Sequence, residues 1–140
     1  MRRIYVSLKE KSENSVKKRQ YKILVIDDEP DINSVIKKGL NRNGFEVETF
    51  IDPLLALSNF KAGFYDLLLI DIKMPKMNGF ELYREIKKKD NQIKVCFITA
   101  LEFYYDEFRR VFPKLNVNCF ARKPISIDEM ANIIKEEIGD

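Results

Sequence analysis

Residues 67–71 read Leu67-Leu68-Leu69-Ile70-Asp71. Apolar side chains fill both alternate sets of positions, and one carboxylate stands at the end of the run. A short run with no polar face suits a strand covered on both sides, which belongs in a parallel sheet flanked by helices. The following stretch, Ile72-Lys73-Met74-Pro75-Lys76-Met77-Asn78-Gly79, turns away. Asp71 is therefore expected where a central strand ends, at the edge of an open α/β sheet, the place where such sheets bind ligands. A second run, Ile23-Leu24-Val25-Ile26, ends the same way in Asp27-Asp28-Glu29. Two neighbouring strands with acidic ends bring three or four carboxylates to one point.

The rest of the chain alternates strand and helix signals. After the first strand (22–26), Pro30 suits the first turn of a helix, with Asp28 or Glu29 as its cap. Ile32, Val35, Ile36 and Leu40 recur at helical spacing, and Asn43-Gly44 ends the run. Residues 45–50 alternate apolar with polar, the mark of a half-exposed edge strand. Asp52-Pro53 opens a short helix that Gly63 closes, and Gly79 precedes another with Leu82, Tyr83 and Ile86 inside. Residues 93–98 form a fourth strand running into Thr99-Ala100. Residues 102–112 form an aromatic-rich fourth helix, carrying Phe103, Tyr104, Tyr105, Phe108 and Phe112. Residues 117–121 form a fifth strand leading into Arg122-Lys123-Pro124. A last helix follows, capped by Ser126 or Asp128, with Met130, Ile133, Ile134 and Ile138 on its apolar face. Five strands alternating with five helices predict a parallel sheet with helices on both faces and right-handed crossovers.

The 140 residues suffice for one domain with a proper core. An apolar fraction of 45% and a charged fraction of 34% describe an ordinary soluble chain. No apolar stretch approaches the roughly 20 residues of a membrane helix, and no apolar signal core opens the sequence, so a cytoplasmic location is expected. The net charge of +3 is uneven: residues 1–20 hold seven basic and two acidic residues, leaving a net of −2 for residues 21–140. The first 20 residues read as a basic, solvated extension, and 21–140 as the folded domain. A slightly acidic domain argues against nucleic acid as its main partner. Cys96 and Cys119 lie in apolar strand-like runs and are expected to be buried free thiols rather than a disulfide. There is no histidine. That removes His-based general bases, Ser-His and Cys-His pairs and most zinc sites, and it leaves phosphoryl chemistry to carboxylates and a metal.

Clustered carboxylates repel by about 4 kcal/mol per pair at 4 Å and an effective dielectric near 20. A fold keeps them together if a cation offsets the charge or one group stays protonated. All-oxygen ligation with watery positions is the Mg2+ pattern, with Asp28 and Asp71 as the direct ligands and Asp27 acting through water or orienting the others. Lys123 supplies an ammonium to pair with Asp71 or an oxygen added to it, and Thr99 supplies a hydroxyl. These are the parts that stabilise an in-line phosphoryl transfer, with Asp71 as nucleophile. Each residue alone is an ordinary cap, turn former or surface lysine. Their placement on successive strand ends is what points to chemistry.

This arrangement resembles the receiver domain of two-component response regulators over residues 21–140, through Asp27-Asp28-Glu29, Asp71-Ile72-Lys73-Met74-Pro75, Asn78-Gly79, Thr99-Ala100 and Lys123-Pro124. The resemblance implies a flavodoxin-like, doubly wound sheet of five parallel strands in the order 2-1-3-4-5. It implies Mg2+ bound by Asp27, Asp28, Asp71 and the carbonyl of Lys73. It further implies phosphorylation of Asp71 from a sensor histidine kinase or a histidine phosphotransfer protein, with Thr99 and Lys123 contacting the phosphoryl group. The switch residues fall on Thr99 and Phe120, and the bond before Pro124 is expected to be cis. Phe120 stands where Tyr is more common, and Leu101 offers nothing to orient a water, so a long-lived phosphoryl group is expected. The output is expected on the face of the fourth helix, fifth strand and fifth helix, toward an effector protein or a second copy. The sequence ends at Asp140, directly after the last helix, so a stand-alone receiver is expected if the sequence is whole, and a receiver cut from its output domain if it is not. A signalling role without an enzyme's turnover is expected. The rival enzyme reading, an Asp-nucleophile phosphohydrolase, wants an acid two residues after the nucleophile, where this chain has Lys73.

Overall fold

A computed structural model describes residues 19–100, 106, 109, 110, 113 and 119–139. Its elements are β1 (Lys22–Ile26), α1 (Pro30–Arg42), β2 (Glu46–Phe50), α2 (Pro53–Asn59), β3 (Leu67–Asp71), α3 (Gly79–Lys89), β4 (Lys94–Thr99), β5 (Phe120–Arg122) and α4 (Ile127–Ile138). The expected helix over 102–112 lies outside the described residues, apart from Asp106, Arg109 and Arg110, which are helical. Residues 1–18 of the expected extension 1–20, and Leu101, also lie outside them.

The five strands form one parallel sheet in the order β2-β1-β3-β4-β5, the 2-1-3-4-5 arrangement. All five residues of β3 are buried, as a strand with no polar face requires. Strand periodicity then sorts the core into two layers. Leu24, Ile26, Leu68, Ile70, Val95 and Phe97 face Ala56 of α2 and Phe80, Tyr83 and Ile86 of α3. Ile23, Val25, Leu67, Leu69, Cys96 and Ile98 face Ile36 and Leu40 of α1 and Met130, Ala131 and Ile134 of α4.

Local chemistry sets the helix starts. Asp52 caps α2 by accepting from the Leu54 N–H, with Pro53 in the first turn. Asn78 and Glu81 form a capping box at α3, and Ser126 and Glu129 form another at α4. Glu29 holds the cap position of α1 without a side-chain bond; its own N–H donates instead to Asp27 Oδ1 at 3.0 Å. The second helix stops at Asn59, short of the expected Gly63, with Phe60 already extended.

The two cysteines depart from expectation. Cys96 and Cys119 are joined as a disulfide between β4 and β5. The register explains it: Phe97 pairs with Phe120, so the residues just before them stand opposite one another, with Cα atoms 4.6 Å apart. The sequence shows two buried thiols but not the register that brings them together.

Two glycines allow close packing. A Cβ on Gly39 in α1 would overlap the side chain of Ile127 in α4. A Cβ on Gly79 would lie 2.6 Å from the carbonyl oxygen of Asp71 and 2.9 Å from Cα of Ile72, so α3 starts against the backbone that carries Asp71. Gly79→Ala is expected to lower the unfolding free energy in urea by about 1–3 kcal/mol. Gly39→Ala is expected to lower it by less, because a side chain can yield where a backbone cannot. A neutral Gly79→Ala would contradict this packing.

Candidate functional site

The carboxyl edge of the sheet collects the polar residues. Ile26 pairs with Ile70, which sets Asp27 beside Asp71 at the ends of β1 and β3. One oxygen from each of Asp27, Asp28 and Asp71 lies within 4.8 Å of the others. Asp71 pairs across the sheet with Ile98, so Thr99 ends β4 one residue beyond it, buried at the same edge. The backbone N–H of Lys123 donates to the Thr99 carbonyl at 2.7 Å, which brings Lys123 to the rim just after β5. The Lys123–Pro124 bond is cis, as expected.

Lys123 Nζ lies 2.9 Å from Asp27 Oδ2, 3.8 Å from Asp71 Oδ2 and 3.9 Å from Glu29 Oε1. The sequence reading pairs this ammonium with Asp71. The structure gives its shortest contact to Asp27, whose side chain has no exposure at all. A fully buried carboxylate has the greater need of a charged partner. With Oδ1 taken by the Glu29 N–H and Oδ2 by Lys123, Asp27 is bound by protein at both oxygens. Asp28 is half-exposed.

Desolvation disfavours the charged Lys123 ammonium, but the hydrogen bond and charge of Asp27, with the charges of Asp71 and Glu29, outweigh it and raise its pKa. The Asp71 carboxyl is pushed up to about 6. Burial is the main cause and the Asp27 charge the next; Asp28 adds to them. Lys123 and a hydrogen bond from the Lys73 backbone pull the other way. Burial and the two neighbouring carboxylates together outweigh the ammonium. That observation, with three carboxylate donors converging on one point, fits a hard divalent cation with oxygen ligands. The side chain of Lys73 is exposed. Phe120 is half-buried and stacks on Phe97, with ring centroids 5.5 Å apart.

One contributor has no signal in the sequence patterns. Asn33, in the first turns of α1, is buried, and its amide Nδ2 donates to the carbonyls of Asp27 at 2.8 Å and Phe50 at 3.1 Å. An Asn on a helix otherwise reads as a solvated position.

The raised Asp71 value carries a stability consequence. Between its ordinary value near 4 and about 6, the folded metal-free chain holds a proton that the unfolded chain has released. Stability present below about pH 4 is thus lost as pH rises through about 6. Asp71→Asn in chelator is expected to be more stable than the parent at about pH 7.5 by about 1–3 kcal/mol. The advantage should fade toward about pH 4, as measured by urea unfolding at each pH. A difference independent of pH would contradict the shift.

Residues 23–135 match the model of the response regulator receiver domain. A probable transcriptional regulator, ycf27 of Cyanidium caldarium, is 32% identical over 84% of this chain and 46% of its own length. Sensor protein EvgS of Escherichia coli K12 is 31% identical over 76% of this chain and 9% of its own. The chain thus spans about half or less of the curated relatives it matches. The response regulator TrrA of Thermotoga maritima, solved in complex with Mg(2+)-BeF, superposes with a TM-score of 0.72 at 33% identity, over 84% of this chain and 98% of that one. A CheY-like receiver domain of Methanospirillum hungatei superposes with a TM-score of 0.72 at 27% identity, over 86% and 94%. With the strand order, the acidic edge and the match over residues 23–135 in agreement, the chain belongs to the response regulator receiver domain family.

Proposed function

We propose that this chain is the phosphoacceptor of a two-component signalling system, receiving a phosphoryl group on Asp71 from a phosphohistidine in a Mg2+-dependent step. The observation that carries it is the convergence of Asp27, Asp28 and Asp71 within 4.8 Å, with Lys123 Nζ 3.8 Å from Asp71 Oδ2. Asp27, Asp28, Asp71 and the carbonyl of Lys73 would hold the cation. Bound there, Mg2+ would offset the negative charge that otherwise opposes attack by a carboxylate on a phosphoryl group.

The chain's own residues do the rest. Asp71 supplies the nucleophilic oxygen. A P–O bond forms on it while the P–N bond of the phosphohistidine breaks, its electron pair leaving on the imidazole nitrogen. Lys123 and the Thr99 hydroxyl then meet the oxygens of the acyl phosphate. Phosphorylation adds roughly −1.5 to −2 charge, and Thr99 moving toward it frees space for Phe120 to turn inward. Biasing the switch from mostly off to mostly on takes about 5 kcal/mol at most, which a few charge-assisted bonds supply. The output face is that of the helix expected over 102–112, with β5 and α4, and it is offered to an effector protein or a second copy of the chain. The donor is a sensor histidine kinase or a histidine phosphotransfer protein in the cytoplasm. Turnover is limited to the chain's own phosphorylation and slow dephosphorylation, Leu101 giving no group to orient a water. No described helix is long and apolar enough to cross a membrane.

Incubation with acetyl phosphate and Mg2+, read by intact mass, is expected to add one phosphoryl group to the parent chain. Chelator and Asp71→Asn are each expected to abolish it. Equal labelling of the parent and Asp71→Asn would overturn the assignment of the acceptor.

A further inference from the structure

The buried amide of Asn33 joins the ends of two strands. Phe50 ends β2, and its carbonyl accepts from both the Asp27 N–H, at 3.2 Å, and Asn33 Nδ2, at 3.1 Å. The same Nδ2 donates at 2.8 Å to the Asp27 carbonyl. One side-chain NH2 thus spends both of its protons on two main-chain oxygens that meet where β1 and β2 open into the acidic pocket. The Asp27 carboxylate hangs from the backbone held in this way, and its direction is set by two further bonds, to the Glu29 N–H and to Lys123 Nζ.

The third atom of the amide gives an independent observation. Asn33 Oδ1 is buried and accepts from no described group of the protein. A buried acceptor without a donor is costly, and an apolar residue of similar size would carry no such cost. Core packing alone therefore favours Leu over Asn at this position. What Asn adds and Leu cannot is the pair of donations to Asp27 and Phe50. The nearest titratable groups along the chain, Asp31 and Glu29, are at the surface and do not supply those donors.

We propose that Asn33 is a positioning residue for the divalent-cation site: it fixes the main chain at Asp27 so that the Asp27 and Asp28 carboxylates are held ready for the cation. This rests on the metal-binding reading above. Groups that orient metal ligands from behind typically change affinity by about 10- to 100-fold when lost. Asn33 acts through the backbone of its neighbours, so about tenfold is expected.

The test is a Mg2+ titration of the folded chain, followed by amide chemical shifts in NMR, beside urea unfolding in chelator. The chains are the parent, Asn33→Leu, which keeps the branched shape without the polar atoms, and Asn33→Ala, which avoids any clash. The expected result is about tenfold weaker Mg2+ binding in both variants, with each unfolding cooperatively and the Leu variant no less stable than the Ala variant. The same order should appear in beryllofluoride binding read by 19F NMR. If either folded variant binds Mg2+ within twofold of the parent, Asn33 is a structural residue only and the proposal fails. If the parent itself binds no Mg2+, the metal-binding reading fails, and the positioning role with it.

Discussion

Three carboxylates within 4.8 Å of one another would drive the carboxyl edge of this sheet apart if nothing held it. At that range each like-charged pair costs on the order of a few kcal/mol at a protein surface. The fold resists in two ways. The Lys123 ammonium reaches from the far side of the sheet to within 2.9 Å of Asp27 and 3.8 Å of Asp71. The strands beneath are buried and their register is fixed by side chains on both faces, so the acids cannot slip away from one another without exposing the core. Burial, with the charges of Asp27 and Asp28 added, raises the pKa of Asp71 in spite of that ammonium.

This explains why parts of the chain far from the pocket matter to it. Gly79 lets α3 begin against the backbone of Asp71. Gly39 lets α1 lie against α4, and these two helices cover the sheet face on which Ile23, Val25, Leu67 and Leu69 sit. The Lys123 backbone is tied to β4 through Thr99. The Asp71 carboxylate and the Lys123 ammonium thus meet, with Thr99 buried at the same edge, because three strands end at one level.

The sequence made the sheet and its acidic edge legible, because both depend on local patterns. An apolar run ending in Asp is visible without knowing what lies beside it. Contacts that depend on neighbours were less legible. The preference of Lys123 for Asp27 over Asp71 follows from the complete burial of Asp27, which only the assembled sheet reveals. The Cys96–Cys119 bond follows from the β4–β5 register. Asn33 gave no signal at all, since its partners are main-chain carbonyls and any sequence has those. The switch roles of Thr99 and Phe120 rest on resemblance, and the aromatics between 103 and 112 lie outside the described residues.

The ring of Phe97 has a position with a mechanical consequence. It stacks on Phe120 at 5.5 Å and meets Phe80 and Tyr83 of α3 edge-on, at 5.0 and 5.7 Å. Four rings therefore run in contact from the third helix, beneath the sheet edge, to the last strand. Swinging Phe120 strips one face of Phe97 of its neighbour, and a close-packed interior does not leave such a face bare. The disturbance would be felt at Phe80 and Tyr83, in the helix that starts beside Asp71, so the packing of the edge strand β5 and the backbone at the end of the central strand are linked.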